Sequence, residues 1–245
     1  MSDFNRESTL HAQLKQLYAG SSGQLEVPVD SYICDCRTSY GEYIEIQIGN
    51  FGPLKYKLQS IAQNHKIKIV HPIICSRYIE TYSTDRVLLR KRRSPRKGNY
   101  WDVFKALVYG PELVLHKNIT LELLFLDILE TRREDGNGSW RRNGISLKDK
   151  RLLTIHNALP LTYPDDYQSF IPFTMEETFT IRDFFTRCNN MESQNRFISE
   201  NSFPKSVLDS PSYPIVQKAV YVLHRIKLLE RIGKKGNFYL YQRKK

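Results

Sequence analysis

The sequence predicts a mixed α/β fold, in which a sheet flanked by helices is followed by a smaller unit of helices and a hairpin. Three observations carry this reading. A helical-period stripe at Leu10, Leu14, Leu17 and Tyr18 gives way, after Gly20 to Gly23, to period-2 alternation between Leu25 and Ile48. A continuous β-branched run, Ile67 to Ile74, then follows a helix-spaced segment, which is the order of a strand–helix–strand crossover. Near the end of the chain an amphipathic segment, Pro214 to Lys227, precedes two alternating runs separated by Gly233 to Asn237.

The elements follow in order. Ser8 can cap a first helix over Ser8 to Ala19. Leu25 to Val29 reads as a short strand leading into a hairpin, in which Tyr32, Cys34 and Cys36 alternate with Ile33, Asp35 and Arg37 before a turn at Thr38 to Gly41. On the returning strand Ile44, Ile46 and Ile48 alternate with Glu45 and Gln47, so Asp35, Glu45 and Gln47 share one face if the turn centres near Tyr40. Pro53 starts a second helix with Leu54, Leu58, Ile61 and Ala62 inward, ending at Asn64-His65. Ile67 to Ile74 is then a buried strand.

Seven basic residues and no acidic one lie between Arg86 and Lys97, and Pro95 and Gly98 make this stretch a loop. Trp101 to Tyr109 reads as a helix that stops at Gly110-Pro111. Ile119 to Arg132 is a long strand or a helix, with composition favouring the strand. A polar turn over Glu134 to Ser139 leads to Trp140-Arg141-Arg142, and a further helix is expected after Ser146. Ala158 to Asp166 has the composition of a linker, dividing the chain into domains 1–157 and 158–245. Phe173 to Arg187 then reads as helical, and Asn189 to Ser212 as a long loop.

The 245 residues carry a net charge of +11, which makes a polyanion the first expected partner. The polar N-terminus has no apolar core of a secretory signal. The most apolar stretch, Ile119 to Leu129, is broken by Glu122 and Asp127, so no membrane association and a cytoplasmic location are expected. Cys34, Cys36, Cys75 and Cys188 form no CxxC pair and have no histidine at zinc-finger spacing, so reduced thiols and no structural zinc are expected. Gly-rich phosphate loops, GxSxG and HExxH are all absent, which sets aside nucleotide-binding, serine-hydrolase and zincin chemistry. His11 lies on the first helix, where it can approach the hairpin.

Asp35 followed ten residues later by Glu45-Ile46-Gln47 resembles the signature of the restriction-endonuclease-like superfamily, written PD-(D/E)XK, and the element order over residues 7 to 75 is similar to that fold's core. The resemblance implies a restriction-endonuclease-like mixed sheet. It also implies Mg²⁺ or Mn²⁺ on Asp35 and Glu45, and hydrolysis of phosphodiester bonds with Gln47 in the place usually held by lysine. Glu7 or Glu26 would match the extra acidic residue of some members, and Asp30 is an alternative first carboxylate. No proline precedes Asp35, and Gln47 is neutral; glutamine occupies this place in some active members of the superfamily, and Lys55 or Lys57 on the next helix is the alternative source of the lysine.

The stretch from Phe173 to Gln242 resembles a winged helix-turn-helix with Pro214 to Lys227 as the recognition helix. Nine lysines and arginines against Glu230 alone follow Lys218, counting that residue. This implies duplex DNA as the partner, held by Arg92, Arg93, Arg96, Lys97, Lys218, Arg225, Lys234 and Lys235; Trp140, between basic residues, is expected as a partly buried hydrophobic anchor, with stacking on an exposed base as the alternative. As a whole the chain is similar to a prokaryotic family of unknown function with this architecture. Two other readings stay open: a nuclease fold that binds DNA without cutting it, and an interaction protein, a possible homodimer, that associates through its winged helix.

Overall fold

Helix α1 (Thr9–Ala19) begins with the Ser8 hydroxyl accepting the His11 N–H and ends at Gly20, whose φ of +67° suits a residue without a side chain. In the computed structural model, which describes residues 8–138, 144–190, 204, 207 and 209–244, it lies against a seven-stranded mixed sheet. Strands β1 (Gln24–Val29) and β3 (Tyr43–Ile46) each pair antiparallel with β2 (Tyr32–Arg37) between them. After a 3₁₀ turn at Gly52–Leu54, helix α2 (Lys55–Ile61) crosses over to β4 (Ile67–Tyr82), which is parallel to β3.

Strand β5 (Leu88–Arg93) folds back on the far half of β4, with Tyr78 opposite Arg93. Helix α3 (Val103–Leu107) then leads to β6 (Ile119–Glu134), parallel to β4, and β7 (Ile145–Leu161) closes the edge antiparallel to β6. The sheet order is β1-β2-β3-β4-β6-β7, with β5 beside β4. After the short helix α4 (Asp165–Gln168) come β8 (Thr178–Phe179), α5 (Ile181–Asn190), α6 (Tyr213–Arg225), β9 (Leu229–Lys235) and β10 (Phe238–Arg243). The last two strands and β8 form a second sheet in the order β8-β10-β9.

The core has two parts, one on each face of the large sheet. On one face Leu10 and Leu14 of α1 pack with Cys36, Ile44, Ile46, Val70, Leu124 and Leu126. On the other, Ile69, Leu121, Leu123 and Phe125 pack beneath α2 and α3, and the same cluster continues without a break through Trp101, Phe104, Phe170 and Phe184 into Val216, Val220 and Leu223 of α6. Trp101 meets Phe170 and Phe184 edge-on with centroids 5.1 and 6.3 Å apart. Among the described residues no helix is long and apolar enough to cross a membrane.

Several expectations change. The helix expected after Ser146 is the seventeen-residue strand β7, because β6 presents a long ladder of partners that the local pattern does not announce. The linker at Ala158 to Asp166 is strand as far as Leu161, paired with Leu121, so a division at residue 157 falls inside β7. The basic loop is a strand up to Arg93, held at an edge with all six residues exposed. Phe173 to Thr180 is not helical: α5 starts at Ile181, where Thr180 and Asp183 cap each other, Thr180 N–H to Asp183 Oδ2 at 2.8 Å and Asp183 N–H to Thr180 Oγ1 at 3.3 Å. The choice left open at Ile119 to Arg132 resolves as strand. Glu7, Trp140, Arg141, Arg142 and most of the expected loop between Asn189 and Ser212 lie outside the described residues.

A chain ending at Thr162 keeps the whole large sheet but uncovers Trp101 and Phe104. Two aromatic burials, about 4 kcal/mol together, should lower the thermal midpoint by on the order of 10 °C. Calorimetry of the truncated and full chains checks this, and equal midpoints would mean that the C-terminal unit adds nothing to the sheet's stability.

Candidate functional site

The hairpin places Asp35 and Glu45 at the point where two strands part. The β2–β3 register runs from Arg37 opposite Tyr43 to Cys36 opposite Ile44 and stops there. Just beyond it the Ile46 N–H donates to Asp35 Oδ2 at 2.7 Å, so a side-chain carboxylate serves as acceptor where the backbone ladder has ended. Helix α1 supplies His11, whose Nε2 lies 3.3 Å from Asp35 Oδ2 and 3.0 Å from the Ile46 carbonyl. A carbonyl only accepts, so that nitrogen carries a proton.

Glu45 lies on the side of β3 that faces α2, with its side chain 7% exposed. Lys57, on the α2 turn above it, puts Nζ 2.7 Å from each carboxylate oxygen. Of the two lysines on this helix that could reach the hairpin, Lys57 does so, whereas Lys55 pairs with Glu112. Gln47 does not complete the cluster. Its amide donates to the Asn50 carbonyl at 2.6 Å, while its own carbonyl accepts from His71 Nδ1 at 2.6 Å. Glu26 pairs with Lys15 of α1, and Asp30 sits in the β1–β2 turn at a positive φ, 4.0 Å from His65.

The two carboxyls are shifted in opposite directions. Burial alone would raise Asp35, but the His11 and Ile46 hydrogen bonds and the charges of His11 and Lys15 outweigh it and hold the group below the usual carboxylate range. Glu45 is raised, first by burial and then by the charge of Asp35, with Lys57 opposing only in part. The charge of Asp35 thus reaches Glu45 across the hairpin.

One residue beyond Gln47 begins a cleft of about 400 Å³. It is lined by Ile48 to Asn50, by His71 to Ile74 and Arg77 of β4, and by Arg96 to Gly98, Asp102 and Lys105. Four cations face one carboxylate there, and Asp102 is already paired with Lys105 at 2.7 Å. Gly98 is required by contact, because a Cβ would stand 2.7 Å from the Ile74 carbonyl oxygen. The sequence pattern pointed to Arg96 and Lys97. It did not point to Arg77, whose position on β4 brings it to the cleft, or to His71, which burial keeps neutral.

The remaining expected cations are spread over the surface. Arg92 and Arg93 lie on β5, with Arg93 donating to Ser76 Oγ at 2.5 Å. Lys218 is half-buried on α6, and Arg225 is exposed at its end, near enough to the Lys55–Glu112 pair to bias both groups. Lys234 and Lys235 are exposed at the tip of the β9–β10 hairpin, Lys234 with its ammonium 5.0 Å from the centre of the Tyr239 ring.

Replacing Lys57 by Met should cost about 3 kcal/mol at pH 7, because it leaves the buried Glu45 carboxylate without its partner. A carboxyl raised in the folded state favours folding most below its unfolded pKa and loses that contribution as pH rises through the folded one. The K57M penalty should therefore shrink as pH falls towards about 4, where the neutral acid needs no cation. Urea denaturation of both proteins at the two pH values measures it, and a penalty that grows on acidification would contradict the assignment.

Residues 8–162, the whole of the large sheet and α1 to α3, match a family described as a domain of unknown function (DUF8091). An uncharacterized protein of Treponema pallidum (strain Nichols) is 24% identical over 153 residues, which is 62% of this chain and 61% of that protein. The chain thus spans about three fifths of that relative's length. No solved structure matches significantly. The hairpin carboxylates, Lys57, His11 and the basic cleft all fall inside the matched residues, and through them the chain belongs to the DUF8091 family.

Proposed function

We propose that the chain is a metal-dependent nuclease that hydrolyses phosphodiester bonds in DNA, with a sheet of the restriction-endonuclease-like, PD-(D/E)XK kind and a C-terminal winged helix. The observation that carries the reading is Lys57, whose ammonium lies 2.7 Å from both oxygens of Glu45 beside Asp35. It supplies from α2 the lysine that Gln47 does not provide on β3. The donor set suits a hard divalent cation, since carboxylate and carbonyl oxygens of Asp35, Glu45 and Ile46 are its natural ligands. His11 Nε2–H lies between Asp35 Oδ2 and the Ile46 carbonyl, which shows that these two oxygens converge.

Mg²⁺ or Mn²⁺ bound there would polarise the scissile phosphate and acidify a coordinated water. Asp35 and Glu45 would hold the cation, with the His11 imidazole beside them. Lys57 then faces the negative charge that develops on the phosphate oxygens. Arg96 and Lys97, in the cleft that opens just past β3, grip the backbone of the strand being cut, with Arg92 and Arg93 extending the grip along β5. Helix α6 buries six residues and leaves Gln217, Tyr221 and Arg225 along one exposed stripe, which would enter duplex DNA while Lys218, Lys234 and Lys235 meet phosphate.

One observation favours a second reading, a nuclease fold that binds DNA without cutting it. Both Glu45 oxygens are held by Lys57, and Asp35 Oδ2 is held by Ile46 and His11, so each carboxylate is already neutralised by the protein. Incubation of plasmid and single-stranded DNA with Mg²⁺ or Mn²⁺ decides between them. Wild type should cut, and D35N, E45Q and K57M should each lose about 10²–10³-fold in rate, while Q47A keeps most of it. If wild type and E45Q leave DNA equally intact but binding weakens steeply with salt, the binding-only reading replaces the nuclease.

A further inference from the structure

A second set of convergent ligand atoms lies on the large sheet, away from the hairpin. Cys75 Sγ of β4, an oxygen of Asp127 of β6 and a ring nitrogen of His156 of β7 lie within 4.8 Å of one another. Along β4 this is six residues beyond Ile69, the register partner of Glu45, or about 20 Å at strand rise. The three strands meet here through irregularities in register. Cys75 is the extra residue between Ile74, opposite Leu126, and Ser76, opposite Asp127. His156 is the extra residue between Ile155, opposite Leu126, and Asn157, opposite Phe125. Two bulges at the level of one residue, Leu126, re-aim side chains that a regular pleat would have sent elsewhere.

The Cys75 thiol donates to the Ile73 carbonyl at 3.6 Å, but the other two ligand atoms have no such partner. Asp127 Oδ1 and His156 Nε2 stand 3.0 Å apart, yet both are buried atoms and neither has a hydrogen-bond partner. The two atoms stand at ion-pair distance without the alignment of a hydrogen bond, so both keep unused bonding capacity that an ion between them and Cys75 would take up. Thiolate, imidazole and carboxylate together are the ligands of a borderline transition metal and are unsuited to Mg²⁺ or Ca²⁺, which take oxygen alone. Around one tetrahedral zinc, bonds of about 2.0–2.3 Å put ligand atoms roughly 3.3–3.8 Å apart, within an ångström or so of the spacing here.

We propose that Cys75, Asp127 and His156 form a zinc site with three protein ligands and a fourth position left to a ligand from outside the chain. Cys75 is buried at the inner end, Asp127 is 15% exposed, and His156, 25% exposed on the edge strand β7, gives the ion its entry. A closed structural site fills all four positions from the chain, whereas three ligands with an open fourth leave room for water or for a substrate atom. The site is independent of the hairpin carboxylates in residues, in donor chemistry and in preferred metal.

The test uses the full chain, stripped by chelator and titrated with Zn²⁺ by calorimetry and with Co²⁺ by absorbance. One Zn²⁺ per chain should bind, unaffected by excess Mg²⁺, and Co²⁺ should give the charge-transfer band of a thiolate ligand. Loss of an outer partner of a ligand typically costs 10–100-fold in metal affinity, so loss of a ligand itself should exceed about 100-fold for H156Q and for C75S, and C75S should also abolish the band. The E45Q variant should bind Zn²⁺ as wild type does. Should C75S fail to fold, H156Q, at an exposed edge, carries the test alone. Failure of wild type to take up Zn²⁺, equal affinity in wild type and H156Q, or loss of Zn²⁺ in E45Q would each overturn the proposal.

Discussion

Strands β4 and β6 are apolar on both faces along their first halves, and everything else in the molecule answers to the need to cover them twice. Ile69, Ile73, Leu121, Leu123 and Phe125 point one way, and Val70, Leu124 and Leu126 point the other. A parallel pair of this kind is stable only when both faces are shielded from water. Helix α1 shields one face. The other is too wide for α2 and the five-residue α3 alone, and the aromatic cluster of Trp101, Phe104, Phe170 and Phe184 carries its cover onward to α6. The C-terminal unit is therefore part of the sheet's own core as well as a carrier of basic residues.

The same two-sided cover fixes the hairpin site. Since α1 and α2 lie on opposite faces, they bring His11 to Asp35 from one side and Lys57 to Glu45 from the other. Both reach the stretch of backbone where β2 and β3 separate, and Asp35 keeps that separation satisfied by accepting the Ile46 N–H. A carboxylate with such a backbone role is constrained in orientation before any ligand arrives, which is the preorganisation that a binding site needs.

Much of this was legible in the sequence where spacing alone decides. Period 2 from Tyr32 to Ile48 is the hairpin, and the six inward residues expected on the C-terminal helix, Ile215, Val216, Ala219, Val220, Val222 and Leu223, are its six buried ones. Strand β7 was not legible, because Lys148-Asp149-Lys150-Arg151 breaks the apolar alternation and three register shifts displace the rest, so its identity comes from β6 and not from its own pattern. Lys57 could be named only as one of two lysines, since which turn of a helix overhangs which strand is a matter of crossover geometry. Cys75, Asp127 and His156 carried no signal at all. Metal motifs are recognised by local spacing, and these three come from separate strands through bulges that no propensity encodes.

The opposite shifts of the hairpin carboxyls divide their labour in the proposed nuclease. Where two titratable groups are pushed apart by their surroundings, the environments assign the roles. Asp35, held below the usual carboxylate range by His11, Ile46 and Lys15 against the cost of its burial, would be the fixed ligand of such a site. Glu45 is raised by burial and by the charge of Asp35, and the Lys57 ammonium on its two oxygens opposes that shift in part. A divalent ion arriving at Asp35 would stabilise the Glu45 carboxylate in its turn and weaken the hold of Glu45 on Lys57. The ammonium would then be free to turn towards a phosphate at the moment the site is loaded. The pairing that favours the binding-only reading is thus also the pairing that a nuclease of this design would have to break, and the energy for breaking it comes from the charge of the cation itself.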